Sequence, residues 1–219
     1  MPTQRTISRP KTIRTGRPVF AIREASAADL AAIVPLHKSA FAGFFLTSLG
    51  DRFLRTYYET VLAYPQRLFY VAEQGSQLAG FVAGFAQPQA FYRALYRRRV
   101  RIGFTLAAAV VRRPKLLAAV IRRAAAVRSR GQNPESDCEL ASTAVDPSFA
   151  GQGAGRLLVE FFVAEAARRH ARTVALSTGA LGNDHVNRFY SSCGFVMRGT
   201  SLVDSRLMNQ YILDTTTPG

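Results

Sequence analysis

Residues 149–158 read Phe-Ala-Gly-Gln-Gly-Ala-Gly-Arg-Leu-Leu, and this spacing suits one kind of chemistry, the holding of a phosphate. Glycines let the backbone come close to an anion, consecutive amides point at it, and a helix opening here adds its dipole. No P-loop lysine follows, which argues against nucleoside triphosphate hydrolysis. The spacing is not Gly-x-Gly-x-x-Gly and the loop follows a late strand, which argues against a dinucleotide fold. Cys138 and Cys193, the only cysteines, lack metal-ligand spacing and a His–Asp pattern, so they read as free thiols and no metal site is expected. His37 and His170 sit on predicted helices without a motif, and His185 reads as a residue of a first helical turn.

The flanking residues give the loop a context. Val145-Asp146-Pro147 ends a strand, Ala150-Gly151-Gln152-Gly153-Ala154-Gly155 forms the loop, and Arg156-Leu157-Leu158 opens a helix. Residues 183–195 then read Asn-Asp-His-Val-Asn-Arg-Phe-Tyr-Ser-Ser-Cys-Gly-Phe. The two segments together resemble the GNAT superfamily of acyl-CoA-dependent acyltransferases. That family has a Val-x-Pro strand end, an Arg/Gln-x-x-Gly-x-Gly/Ala loop, and an Asn-x-x-Ala-x-x-Phe-Tyr-x-x-x-Gly-Phe segment. The resemblance spans about residues 18–214 and is clearest over 137–197. Val186 stands in the alanine place, and Ala150 replaces the usual Arg or Gln, so the loop relies on its backbone N–H groups.

The resemblance implies acetyl-CoA as co-substrate, and N-acyl transfer to a primary amine by direct attack. It implies a pyrophosphate held around Ala150, Gly151, Gln152, Gly153, Ala154, Gly155 and Arg156. The backbone of Thr143, Ala144 and Val145 would pair with the pantetheine arm, one N–H polarising the thioester carbonyl. Asn183 would bond the pantetheine amides, with helix N-cap as its other role. Tyr190 would donate to the departing sulfur, or else be a packed aromatic with its hydroxyl at the surface. Glu139 matches the family position of the base that takes the proton of the acceptor amine; its other reading is a solvated strand-edge carboxylate, and Asp137 is a weaker substitute. Period-two alternation puts Asp137, Glu139, Ala141, Thr143 and Val145 on one face of their strand.

The elements that must position these residues are legible from periodicity and turn chemistry. A strand is expected at 19–22, a helix capped by Ser26 with Asp29 in its first turn, and a helix at 51–63. Strands at 68–73 and 78–85 flank the hairpin signal Gln74-Gly75-Ser76-Gln77. A strand at 138–145, a helix from 151 to about 170, a strand at 173–178, a helix at 184–193 and strands near 195–202 and 207–213 complete the order. This predicts an α+β, three-layer domain: a mixed central sheet flanked by helices, with a helical insertion at 89–130 between the third and fourth strands. Residues 1–17 read as a basic disordered tail and 18–214 as one domain.

The 219 residues carry a net charge of +15, but unevenly. Residues 1–17 hold five Lys or Arg and residues 93–130 hold twelve, with no acid in either segment. The rest is close to neutral, so an anionic partner should meet the tail or the insertion. In the insertion Tyr92, Leu95, Tyr96, Val100 and Phe104 interleave with arginines, as do Leu116, Leu117, Val120 and Ile121 with Lys115, Arg122 and Arg123. A lid over the acceptor, a peripheral contact with anionic lipid and a solvated basic face are all compatible with that pattern. Arginines suit phosphate, so a small-molecule amine that is phosphorylated, nucleotide-linked or lipid-linked is one acceptor class, beside an amine metabolite, an aminoglycoside or a protein N-terminus. The alternative to an enzyme is a non-catalytic module that binds nucleic acid or a membrane surface through its basic segments, although no recognised nucleic-acid motif is present. No signal or spanning segment is legible, and the cytoplasm is the expected compartment.

Overall fold

The computed structural model describes residues 19–97, 136–203 and 206–216. The basic tail and the insertion beyond residue 97 lie outside the described residues. The chain runs β1 (Ala21–Glu24), α1 (Leu30–Ala40), α2 (Phe45–Ser48), α3 (Asp51–Leu62), β2 (Arg67–Gln74), β3 (Gln77–Ala86), α4 (Pro88–Arg97), β4 (Cys138–Val145), α5 (Ala154–Arg168), β5 (Thr173–Gly179), α6 (Asp184–Ser192), β6 (Val196–Val203) and β7 (Arg206–Asp214). One seven-stranded sheet has the order β1-β2-β3-β4-β5-β7-β6. Among the described residues, only β4 and β5 pair in parallel. This is the expected mixed α+β architecture. The short helix α2 was not foreseen, and β1 starts two residues later than its apolar run suggests.

Alternation along β2 builds the two outer layers. Leu68, Tyr70 and Ala72 face α5, meeting Leu158, Val159, Phe162 and Ala166. Phe69 and Val71 face the other way, against Leu30, Ile33 and Val34 of α1 and Leu54, Tyr58 and Val61 of α3. Burying such side chains fully is worth about 1.5–3 kcal/mol each, which fixes the register of the central strands. Before α1, Ser26 N–H and Oγ–H both donate to Asp29 Oδ2, at 2.7 and 2.8 Å. Arg23 donates to the same carboxylate and to Glu73. The helix α4 is pinned by Phe91, which is buried and stacked on Phe85 with ring centroids 3.7 Å apart.

The expected single face of β4 is broken by a bulge. Ala83 pairs with Ser142 and Gly84 with Leu140, so Ala141 is an extra residue on β4. Cys138 and Leu140 therefore face α5, while Ala144 packs on the α1 and α3 side and Val145 returns to the α5 side. Glu139 and Thr143 thus fall on opposite faces of the sheet, because one inserted residue reverses the alternation. Gly84 makes the bulge possible: a Cβ there would overlap the Glu139 carbonyl oxygen and come within 2.6 Å of the Phe162 ring. Gly84→Ala is therefore expected to lower the thermal midpoint by roughly 5 °C, from overpacking of about 2 kcal/mol in a domain of this size. An unchanged midpoint in a calorimetric scan would mean that the two strands tolerate the side chain.

Candidate active site

The bulge turns β4 away from β5. The two strands pair only at Cys138 with Val174 and Glu139 with Ala175, after which their facing edges have no ladder between them. A cleft of about 650 Å³ occupies this gap, lined by Thr143, Ala144 and Val145 of β4, Ser177, Thr178 and Gly179 of β5, and the glycine loop. The loop is shaped by Gly151 and Gly153, at φ 74° and 93°, where other residues would be strained. Among the described residues, no backbone carbonyl accepts from the amides of Gly151, Gly153, Ala154, Gly155 or Arg156. These open donors head a helix of 15 residues and form a site for a phosphate-sized anion. Gly155 has a second role, since a Cβ there would come within 3.3 Å of Val145 and 3.6 Å of Phe189. Ala150 and Gln152 flank the loop, and the Gln152 amide donates back to the Ser148 carbonyl at 2.9 Å. Arg156 is tied to α6 through the carbonyl and hydroxyl of Ser192, at 3.1 and 2.8 Å.

The far wall is organised by Asn187, a residue that sequence reasoning passed over. Its Oδ1 accepts from Thr178, Tyr211 and Asn209 at 2.6, 3.2 and 3.3 Å. Its Nδ2 donates to the carbonyls of Gly179 and Asn183, both at 3.0 Å. Three elements are thereby locked around the cleft. Asn183 stands at the N-cap position but its side chain does not cap α6; it donates to Thr178 at 3.3 Å and lines the cleft. Tyr190 packs beside Phe189 and Phe195 and is only 7% exposed, which corrects the surface-hydroxyl reading. Burial pushes its phenol up to about 12, opposed by the neighbouring Thr143 hydroxyl. Thr143 Oγ1 is itself buried and has no hydrogen bond of good geometry among the described residues. Cys138 is fully buried and its thiol is pushed up to about 12, mainly by desolvation, so it is no ready nucleophile.

On the opposite face of the sheet lies a smaller cavity of about 150 Å³, lined by His37, Phe41, Phe44, Tyr92, Glu139, Ser142, Arg206 and Met208, among others. It shares Phe41, Phe44 and Ser177 with the larger cleft. Glu139 lines this cavity, and Tyr92 of α4 donates to its Oε1 at 2.7 Å. Asp137 is not here: it accepts from the Arg172 amide at 2.7 Å and lines a separate depression beside Arg169 and His170. Arg206 closes the cavity from the β6–β7 hairpin, donating to the Gly43 carbonyl at 2.8 Å with its guanidinium 4.4 Å above the Phe44 ring. His185 lines the larger cleft but is exposed.

The profile of the acetyltransferase (GNAT) family matches residues 31–195, most of the chain. The chain belongs to the GNAT acetyltransferase family. Its fold is similar to that of Ard1 from Thermoplasma volcanium, at 16% identity and a TM-score of 0.58, over 89% of this chain and 97% of that one. It is similar to yncA from Salmonella typhimurium, whose structure holds its cofactor acetyl-CoA, at 16% identity and a TM-score of 0.57, over 91% and 96% of the two chains. A third likeness is to the ribosomal-protein-alanine N-acetyltransferase of Brucella melitensis, at 17% identity and a TM-score of 0.56, over 88% and 98%. No curated protein matches the chain in sequence.

The co-substrate of this GNAT protein is acetyl-CoA, and the residues present fit that molecule. The open amides from Gly151 to Arg156 would hold a pyrophosphate without the side chain that Ala150 lacks. The unpaired edge of β4 from Thr143 to Val145 offers peptide groups to an amide-bearing arm, with Asn183 across the gap. Among the described residues no group of His, Cys, Asp or Glu is arranged to hold a metal ion, and no helix is long and apolar enough to cross a membrane. A Cβ at Gly153 would meet nothing within 4 Å, so a side chain there occupies open space beside the amides. Gly153→Glu is expected to weaken CoA in a calorimetric titration by about a hundredfold or more, roughly 2.8 kcal/mol. Unchanged affinity would move the pyrophosphate away from this loop.

Proposed function

We propose that this protein transfers the acetyl group of acetyl-CoA directly to a primary amine that enters from the smaller cavity, with Glu139 as base and Tyr190 as acid. The observation that carries this reading is the gap between β4 and β5. It joins a cleft suited to the donor on one face to a carboxylate-bearing cavity on the other, and the two share Phe41, Phe44 and Ser177.

An ammonium ion cannot attack a carbonyl, so the acceptor must first lose a proton. Glu139, oriented by the Tyr92 hydroxyl, is the carboxylate that lines the acceptor side. The neutral nitrogen then bonds to the thioester carbon. A backbone N–H of the free β4 edge steadies the charge that gathers on the carbonyl oxygen. As the carbon–sulfur bond breaks, the attacking nitrogen releases its surplus proton to solvent and the sulfur leaves as a thiolate beside Tyr190. That phenol, held near 12, keeps its proton throughout the working range and offers it to the sulfur as a hydrogen bond. Transfer is direct, since neither thiol is activated: Cys138 and Cys193 are both raised by burial.

Two substitutions test the roles, with thiol release from acetyl-CoA measured against a panel of primary amines. Tyr190→Phe should lower kcat by about tenfold to a hundredfold while leaving CoA affinity within about twofold. Glu139→Gln should lower kcat/KM by about a hundredfold and flatten the acid limb of its pH profile. Full turnover in either variant would remove that residue from its role. Acetyl-CoA binding with no amine-dependent thiol release in the parent protein would instead favour a binding module on this fold.

A further inference from the structure

His37 is the group that the reaction just described does not use. It lies on α1, is 2% exposed, and forms part of the wall of the smaller cavity. Its Nδ1 is 2.7 Å from the Tyr58 hydroxyl, and Phe41 lies against the ring at a centroid distance of 4.5 Å. Its Nε2 is buried and has no hydrogen-bond partner among the described residues. A buried polar atom left unpaired bears its full desolvation penalty, so such an atom on a residue that lines a cavity points to a missing ligand.

The direction of the Tyr58 bond decides what that ligand offers. Burial lowers the imidazole to about 4, so the ring is neutral near pH 7 and carries one proton. A phenol is the better donor of the two groups and an imidazole nitrogen the better acceptor. The Ser142 hydroxyl also opposes the rise in the Tyr58 pKa, as a donor to the phenol oxygen does, which leaves the phenol proton for Nδ1. The remaining ring proton is then on Nε2, because the bond made by one nitrogen sets the tautomer of the other. The wall sets apolar side chains such as Phe41, Phe44 and Met208 beside the polar Ser142, Glu139 and Arg206, and the space of about 150 Å³ admits only a compact group.

We infer that His37 determines acceptor specificity: its Nε2–H donates a hydrogen bond to an oxygen of the substrate, which is a compact primary amine carrying a hydroxyl or carbonyl oxygen beside the amine. This rests on the acetyl-transfer reading above. Glu139 handles the nitrogen end of the acceptor, and His37 selects the oxygen that accompanies it. An amine without that oxygen leaves the ring nitrogen unpaired in the complex and loses binding accordingly.

The test compares 2-phenylethylamine with phenylalaninol and phenylalaninamide, which add a hydroxyl and a carbonyl oxygen, as acceptors for acetyl-CoA. The parent protein should favour the oxygen-bearing amines in kcat/KM by about tenfold or more. In His37→Phe the preference should fall to near unity through the acceptor KM, with the KM for acetyl-CoA unchanged, and His37→Gln should regain part of it. An unchanged preference in His37→Phe, or none in the parent protein, overturns the inference. If acetyl-CoA binds but no amine accelerates thiol release, the transfer reading fails and this inference falls with it. Imidazole nitrogen NMR of the parent protein is independent of how the variants fold. It should show the Nε2–H tautomer, perturbed when phenylalaninol is added to the CoA complex; the Nδ1–H tautomer overturns the assignment.

Discussion

One extra residue in β4 governs the rest of the site. With Ala141 inserted opposite the Ala83–Gly84 step, β4 changes the side to which its residues point and leaves its parallel partner after two residues. Without the bulge, β4 and β5 would continue as a closed ladder, and no backbone donors would be free at the centre of the sheet. The same insertion sends Glu139 to the smaller cavity and Thr143 to the Tyr190 side. On the function proposed above, base and acid then lie on opposite faces of the sheet, the nitrogen arriving from one side as the sulfur departs on the other. Gly84 is the residue whose missing side chain permits this, because a Cβ there would occupy the space of the Glu139 carbonyl.

Around the gap the protein relies on neutral hydrogen bonds more than on charge. The Asn187 network joins β5, α6 and β7 through amides and hydroxyls. Tyr58, Tyr190 and His37 are all shifted toward their neutral forms, in each case chiefly by desolvation. Such groups retain their directionality without the penalty of burying ions. Glu139 is the carboxylate in the wall of the smaller cavity, and the Tyr92 hydroxyl stabilises it by a bond that reaches across from α4. The position of Tyr92 in turn depends on the stacking of Phe91 on Phe85, whose strand partner is Glu139 itself. Packing of the core and orientation of the carboxylate are therefore one structural fact.

The glycine loop and the strand end before it were legible in the sequence and the arrangement of the smaller cavity was not, for a physical reason. Holding a pyrophosphate and a pantetheine arm is work for backbone amides. Backbone geometry at Gly151 and Gly153 demands glycine, and this leaves a readable spacing. The element order followed from periodicity, with boundaries displaced by one to three residues. The bulge at Ala141 was invisible because nothing in Leu-Ala-Ser-Thr departs from an ordinary strand; the signal that could have raised it, Gly84 inside an apolar strand, is ambiguous alone. His37 and Asn187 were missed because their partners lie 21 residues away in one case and on two separate strands in the other.

That asymmetry bears on how such a fold acquires substrates. The larger cleft takes one wall from contiguous chain, β4 through the loop into α5, and the other chiefly from β5 and α6, so a change in the loop disturbs a geometry that several elements share. The smaller cavity draws its side chains from α1, α2, α3, α4, β4, β5, β6 and β7, together with the loop between α1 and α2. Arg206 shows how loosely coupled the parts are: a single guanidinium, bonded to the Gly43 carbonyl and stacked on Phe44, joins the two segments that face each other across the cavity mouth. Likeness of fold at 16% identity leaves such side chains free to differ, and function follows the site rather than the fold.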